Sequence, residues 1–129
     1  MYWPAINGGR KARSYRLGNY LAVLVTDCES MGQIEYTHVL LVYQMVPPPQ
    51  ADQNAPLVYA VAAEKNSMQD ELGGDSHFLG VFPGTGHMNF GASEQWADLD
   101  HFVEKAIEVT AAHFNITEAP VLLDFRPQG

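Results

Sequence analysis

FLGVFPGTGHMNFGASEQW, residues 78–96, decides between two architectures. An apolar run enters a turn carrying Gly84, Gly86 and Gly91, with His87 inside it, and a helix start follows. Together with NITEAPVLLD further on, the outline is strand, glycine turn, helix, strand. That is the outline of a dinucleotide-binding unit, in which the backbone lets a pyrophosphate approach a helix N-terminus. The details point elsewhere. The glycines read G-x-G-x-x-x-x-G, with too many residues before the third. Pro83 removes a backbone donor. Ala92 and Ser93 follow Gly91 where a P-loop needs a lysine and a hydroxyl. The stretch therefore reads as a wide turn, with Gly84 and Gly86 supplying positive φ, that joins a strand to a helix.

Upstream, the pattern is strand after strand with no helix between. SYRLGNYLAVLVTD (14–27) alternates, as does the first half of IEYTHVLLVYQMV (34–46). LVYAVAAEK (57–65) and HFLGVF (77–82) complete a run of four. PPPQADQNAP (47–56) reads as an exposed stiff loop, because prolines fix φ and cannot donate. NSMQDELGGDS (66–76) reads as a loop with one helical turn at 68–72.

Downstream lies the one strong helix, expected over about 94–114 with Ser93 as its N-cap. Trp96, Leu99, Val103, Ala106, Ile107, Thr110 and Phe114 make its apolar stripe. Asn115 suits the left-handed position beyond its end, with Ile116 packing back. APVLLDF (119–125) is a final strand, whose return through a helix permits a parallel neighbour. The expected fold is α+β: a single, mostly antiparallel sheet of about five strands, the long helix on one face, and the last strand after it. The domain is expected over 14–126, with a flexible basic arm at 1–13 and a frayed tail at 127–129.

Strands 40–46, 57–63 and 121–123 are apolar on both faces, which calls for cover on both sides. One helix supplies one cover. The other must come from the N-terminal arm, from residues 66–76, or from a second copy of the chain. A homodimer through the sheet is the expectation.

Charge is uneven. The chain carries a formal net charge of −8, yet Arg10, Lys11, Arg13 and Arg16 lie in the first 16 positions, before the first acid at Asp27. Such an arm could bind nucleic acid or an anionic surface, but the body is too acidic to track phosphates, so neither nucleic acid nor membrane is the expected partner. No apolar run approaches the ~20 residues that span a bilayer. With a single cysteine and no secretory pattern at the start, a cytoplasmic protein is expected.

No cofactor and no metal is expected. Glu94, Asp98 and His101 share a helix face but lack a second ligating element. Cys28 lies between Asp27 and Glu29, acids that raise a thiol pKa rather than activate it. What remains is a small acidic binding or protein-interaction module without catalytic activity. The alternative is a small-molecule site or enzyme at the 83–93 turn, with Gly84, Gly86, His87, Asn89 and Ser93 as the binding residues and His87 as acid or base.

Overall fold

The computed structural model describes residues 2–48 and 54–125, with backbone alone at 124 and 125. The expected tail at 127–129 and the middle of the proline-rich loop lie outside the described residues. The chain forms seven strands: β1 Arg10–Leu17, β2 Tyr20–Thr26, β3 Tyr36–Gln44, β4 Leu57–Lys65, β5 His77–Phe82, β6 Met88–Ala92 and β7 Val121–Phe125. A helical turn, α1, spans Gln69–Leu72, a 3-10 turn spans Glu94–Ala97, and α2 spans Leu99–Phe114. The strands form one antiparallel sheet in the order β6-β5-β4-β3-β2-β1-β7. The α+β class, the antiparallel sheet and the one long helix agree with the sequence reading. The number of strands does not.

Two strands escape that reading. Residues 14–27 are not one strand, because Gly18, at φ 57°, and Asn19 turn the chain so that Leu17 pairs with Tyr20. The apolar alternation changes phase there. Tyr15 and Leu17 pack toward the helix before the turn, and Tyr20, Ala22 and Leu24 after it. The supposed turn at 83–93 contains β6, which pairs Met88 with Val81 and Asn89 with Gly80. Every residue of β6 is exposed, so burial imposes no apolar pattern on it. A third correction concerns β7. It lies antiparallel to β1 at the sheet edge, pairing Arg16 with Val121, and not parallel to a neighbour.

The basic segment is also placed differently. Residues 10–13 open β1 and are not part of a free arm. Arg10 reaches Asp27 at 2.9 Å and Arg13 reaches Asp100 at 2.7 Å, the second tying β1 to α2.

The helix begins later than Ser93 because Asp98 takes a β conformation and caps α2. Its carboxylate accepts from the His101 N–H at 3.1 Å, while Ser93 Oγ accepts from Gln95 N–H and caps the 3-10 turn. Asn115 closes α2 at φ 55°, ψ 42°, and Ile116 donates back to the Ala111 carbonyl at 2.9 Å, as its sequence position leads one to expect. α2 buries Phe102, Val103, Ala106, Val109 and Thr110 against Leu24, Leu40, Val42, Tyr59, Val61, Leu79 and Val81 of the sheet. Trp96, Leu99, Ile107 and Phe114 sit at its margin.

The opposite face has its own cluster: Tyr36, Val39, Ala60, Ala62 and Phe82. Its cover is the chain N-terminus. Residues 2–9 run over it as a strap, bringing Trp3 and Ile6 onto the cluster. The strap is held by Tyr2 N–H to the Gly84 carbonyl (2.9 Å), Asn7 N–H to the Glu29 carbonyl (2.7 Å) and Met31 N–H to the Ala5 carbonyl (2.8 Å). It spans only half of the face. Toward β1 and β7, Leu21, Val23 and Tyr43 stay half-buried and Val121 and Leu123 are exposed. Among the described residues no helix is long and apolar enough to cross a membrane.

Candidate functional site

Glu64 is the penultimate residue of β4, on the same face as Ala60 and Ala62. A carboxylate on that face must lie across its neighbour, and the neighbour permits it because it is Gly80: a Cβ there would overlap the Glu64 carboxyl group. The Glu64 side chain is only 6% exposed. The turn after β5 brings His87 over it, with Nε2 2.7 Å from Glu64 Oε2. His87 stacks on Phe82 with ring centroids 4.5 Å apart and planes 6° from parallel, and Tyr2 of the strap stacks beside both.

Burial pushes the Glu64 carboxyl above the ordinary glutamate range, and the His87 ring draws it back only in part. Tyr36, packed edge-on to Phe82, is pushed up to about 12 by burial, with the Glu64 charge adding to it. The group of Glu64, His87, Phe82, Tyr36 and Tyr2 is thus a carboxylate–imidazole pair in an aromatic box, half closed by the strap. Chemically it can hold a proton between two bases or take a third, cationic partner.

The other residues expected at the turn do not converge on this pair. Gly84, at φ 98°, is buried, and its carbonyl is taken by Tyr2. Gly86 has open space where a side chain would be. Asn89 lies on β6 with Oδ1 accepting from Gly91 N–H at 2.8 Å. Ser93 caps the 3-10 turn and donates its N–H to the His77 carbonyl at 3.0 Å. Of the five, His87 alone meets another chemically active side chain.

Two further histidines are buried on the helix side. His38 Nε2 lies 2.8 Å from the Ala97 carbonyl and Nδ1 lies 2.8 Å from Thr26 Oγ1. The carbonyl can only accept, so Nε2 carries the proton and Nδ1 accepts from the hydroxyl. His77 sits between Ser76 Oγ (2.7 Å) and Thr37 Oγ1 (2.9 Å). Burial lowers both imidazoles below the usual histidine value; for His77 the neighbouring His38 adds to the effect. These two anchor β3 and β5 to their surroundings through satisfied hydrogen bonds.

The helix acids are structural. Asp98 caps α2 and also holds His101 Nδ1 at 2.8 Å, and Glu94 accepts from Ser76 N–H at 3.0 Å. Among the described residues no three His, Cys, Asp or Glu side chains group as metal ligands. Cys28 packs under the strap, its thiol 3.7 Å from the Val25 carbonyl, and burial with Asp27 beside it pushes it up to about 11.

Sequence reasoning missed Glu64 because it stands at the end of an apolar strand, where a polar residue reads as the strand leaving the core. The signal was present: Ala60, Ala62 and Glu64 are one alternate set, and small residues at the first two leave room for a longer chain at the third. Comparison of the chain with known protein families, with curated proteins and with solved structures gives no match.

Proposed function

We propose that this is a small acidic interaction module without catalytic activity, which pairs with a second copy of itself through the β7 end of its sheet. The observation that carries this reading is β7. It is an edge strand with one side unpaired, and Val121, Leu122 and Leu123 are 40%, 51% and 54% exposed. An apolar edge with free N–H and C=O groups is a template for another strand, and proteins that leave such an edge bare aggregate. Two copies of β7 run antiparallel across a two-fold axis satisfy each other, since such an interface is self-complementary. Beside β7 the uncovered half of the sheet forms a groove of about 510 Å³, lined by Arg16, Leu21, Val46, Val121 and Leu123, which extends the apolar surface to be buried.

Sedimentation velocity of the full chain at micromolar concentration tests this. The expected result is a dimer that Leu123→Lys converts to a monomer, because a charge at the edge blocks strand addition. A wild-type chain that sediments as a monomer throughout overturns the reading.

A further inference from the structure

At the end of the strands opposite the Gly18-Asn19 turn, the loop before β3 and the loop after β4 enclose a hollow of about 430 Å³. Ile34, Met68, Leu72 and Phe78 form its apolar side, and Lys65, Asn66 and Ser67 its polar side. Ile34, Met68 and Leu72 are 37%, 44% and 78% exposed, so large apolar side chains stand open to solvent around one hollow with a polar rim. That arrangement marks a surface for a partner. The loop carrying Met68 and Leu72 is not held by packing, since α1 buries no residue. Polar bonds hold it instead. Asn66 Oδ1 accepts from Met68 N–H at 3.1 Å, Asn66 Nδ2 donates to the Asp75 carbonyl at 3.0 Å, and Gln69 Nε2 donates to the Gly74 carbonyl at 3.2 Å. Leu72 N–H donates to the Met68 carbonyl at 2.8 Å, which sets the two apolar side chains one above the other.

We infer that this surface docks a basic amphipathic segment of a partner protein, with its apolar residues on Ile34, Met68, Leu72 and Phe78 and its lysines or arginines over the acids beside them. Charge complementarity selects this occupant. The two loops carry Glu35, Asp70, Glu71 and Asp75 next to a single cation, Lys65, whose ammonium group is taken by Glu35 at 3.4 Å. Asp70, Glu71 and Asp75 have no ion-pair partner among the described residues. An acidic segment or an anionic membrane meets like charge there. A second copy of this chain brings the same acids to the same place and is repelled. An unbranched methionine side chain such as Met68 adapts to the shape of an apolar partner. The groove beside β7 includes Gly18 and Val46, at the other end of the strands, so docking here does not rest on pairing there.

A labelled peptide of alternating Leu-Leu and Lys-Lys pairs, amphipathic as a helix, serves as the probe. Its two controls replace every lysine by glutamate or every leucine by serine. Each is titrated into the full chain at physiological salt, where loose attraction to a net charge of −8 is screened. Fluorescence anisotropy reads the affinity and methyl NMR reads the place. The probe is expected to bind about tenfold or more tightly than either control and to shift the methyl groups of Ile34, Met68 and Leu72. Leu72→Ser is expected to weaken the probe about tenfold and to leave the urea midpoint where it is, because that side chain is exposed. Leu123→Lys, at the β7 edge, is expected to bind the probe as the wild-type chain does. Equal affinity of the wild-type chain for the probe and for either control overturns the inference without reliance on any variant. So do methyl shifts confined to residues away from Ile34, Met68 and Leu72, an affinity unchanged by Leu72→Ser, or one lost in Leu123→Lys.

Discussion

Glu64 illustrates how a single residue is made possible by another. Its carboxyl lies in the space a side chain at position 80 would fill. Gly80→Ala is therefore expected to displace a buried carboxylate from His87 and to lower stability by about 1–3 kcal/mol in urea unfolding. An unchanged midpoint would show that the carboxyl can move aside freely. The buried titratable groups also give opposed pH effects. His38 and His77 have folded pKa values below the ordinary 6.5, so the unfolded chain takes up their protons first. The stability they contribute is present above about pH 6.5 and is lost as pH falls toward their folded values. Glu64 has the opposite sign. Its folded pKa lies above the ordinary 4.5, so the folded state gains relative stability as pH falls through that window. Thermal unfolding from pH 8 to 5 should show a falling midpoint that is shallower in His38→Gln and steeper in Glu64→Gln. Parallel curves for the three proteins would contradict these assignments. Cys28, with its thiol raised to about 11, should be alkylated more slowly than free cysteine at neutral pH.

At the scale of elements, what the sequence made legible was whatever depends on neighbours along the chain. β4 and β5 lie over the residues their apolar runs mark, and Asn115 closes α2 where a left-handed residue was due. The helix start was misplaced because two capping residues, Ser93 and Asp98, compete within five positions, and the backbone uses both. Asp98→Ala should remove the α2 cap and cost about 1 kcal/mol, whereas Ser93→Ala removes only the cap of a 3-10 turn and should cost less. Comparison of the two denaturation midpoints checks the order. The Gly18-Asn19 turn and β6 were hidden for different reasons. In the first, apolar residues continue on both sides of the turn, so the Gly-Asn pair and the change of phase are all that betray it. In the second, an exposed edge strand is free of the burial that writes a pattern. Of the candidate site, His87 was legible as a lone titratable residue in a glycine-rich turn. Its partner was not, because the contact spans 23 positions and depends on the β4–β5 register that sets Ala62 opposite Gly80.

For the whole molecule, the doubly apolar strands set a demand that the chain meets unevenly. α2 covers one face, the strap covers half of the other, and the β7 end is left with its apolar edge open. Trp3→Ala should loosen the strap and expose Val39, Ala60 and Phe82. Phe82→Ala should cost about 3–5 kcal/mol, since it empties a fully buried site beneath both the strap and His87. If Trp3→Ala leaves hydrogen exchange around Phe82 unchanged, the strap is not the cover. The strand order carries a consequence for how the molecule assembles. Strands β1 to β6 are a strict meander, each beside its predecessor, so their contacts close short loops and cost little chain entropy. The strap and β7 are the exceptions. Tyr2 must find Gly84, and Val121 must find Arg16, across most of the chain length. The β1–β2 hairpin, closed by the two-residue Gly18-Asn19 turn, should therefore acquire amide protection first in pulse-labelled refolding. The two ends of the chain should dock last, as closing steps on opposite parts of a sheet already formed.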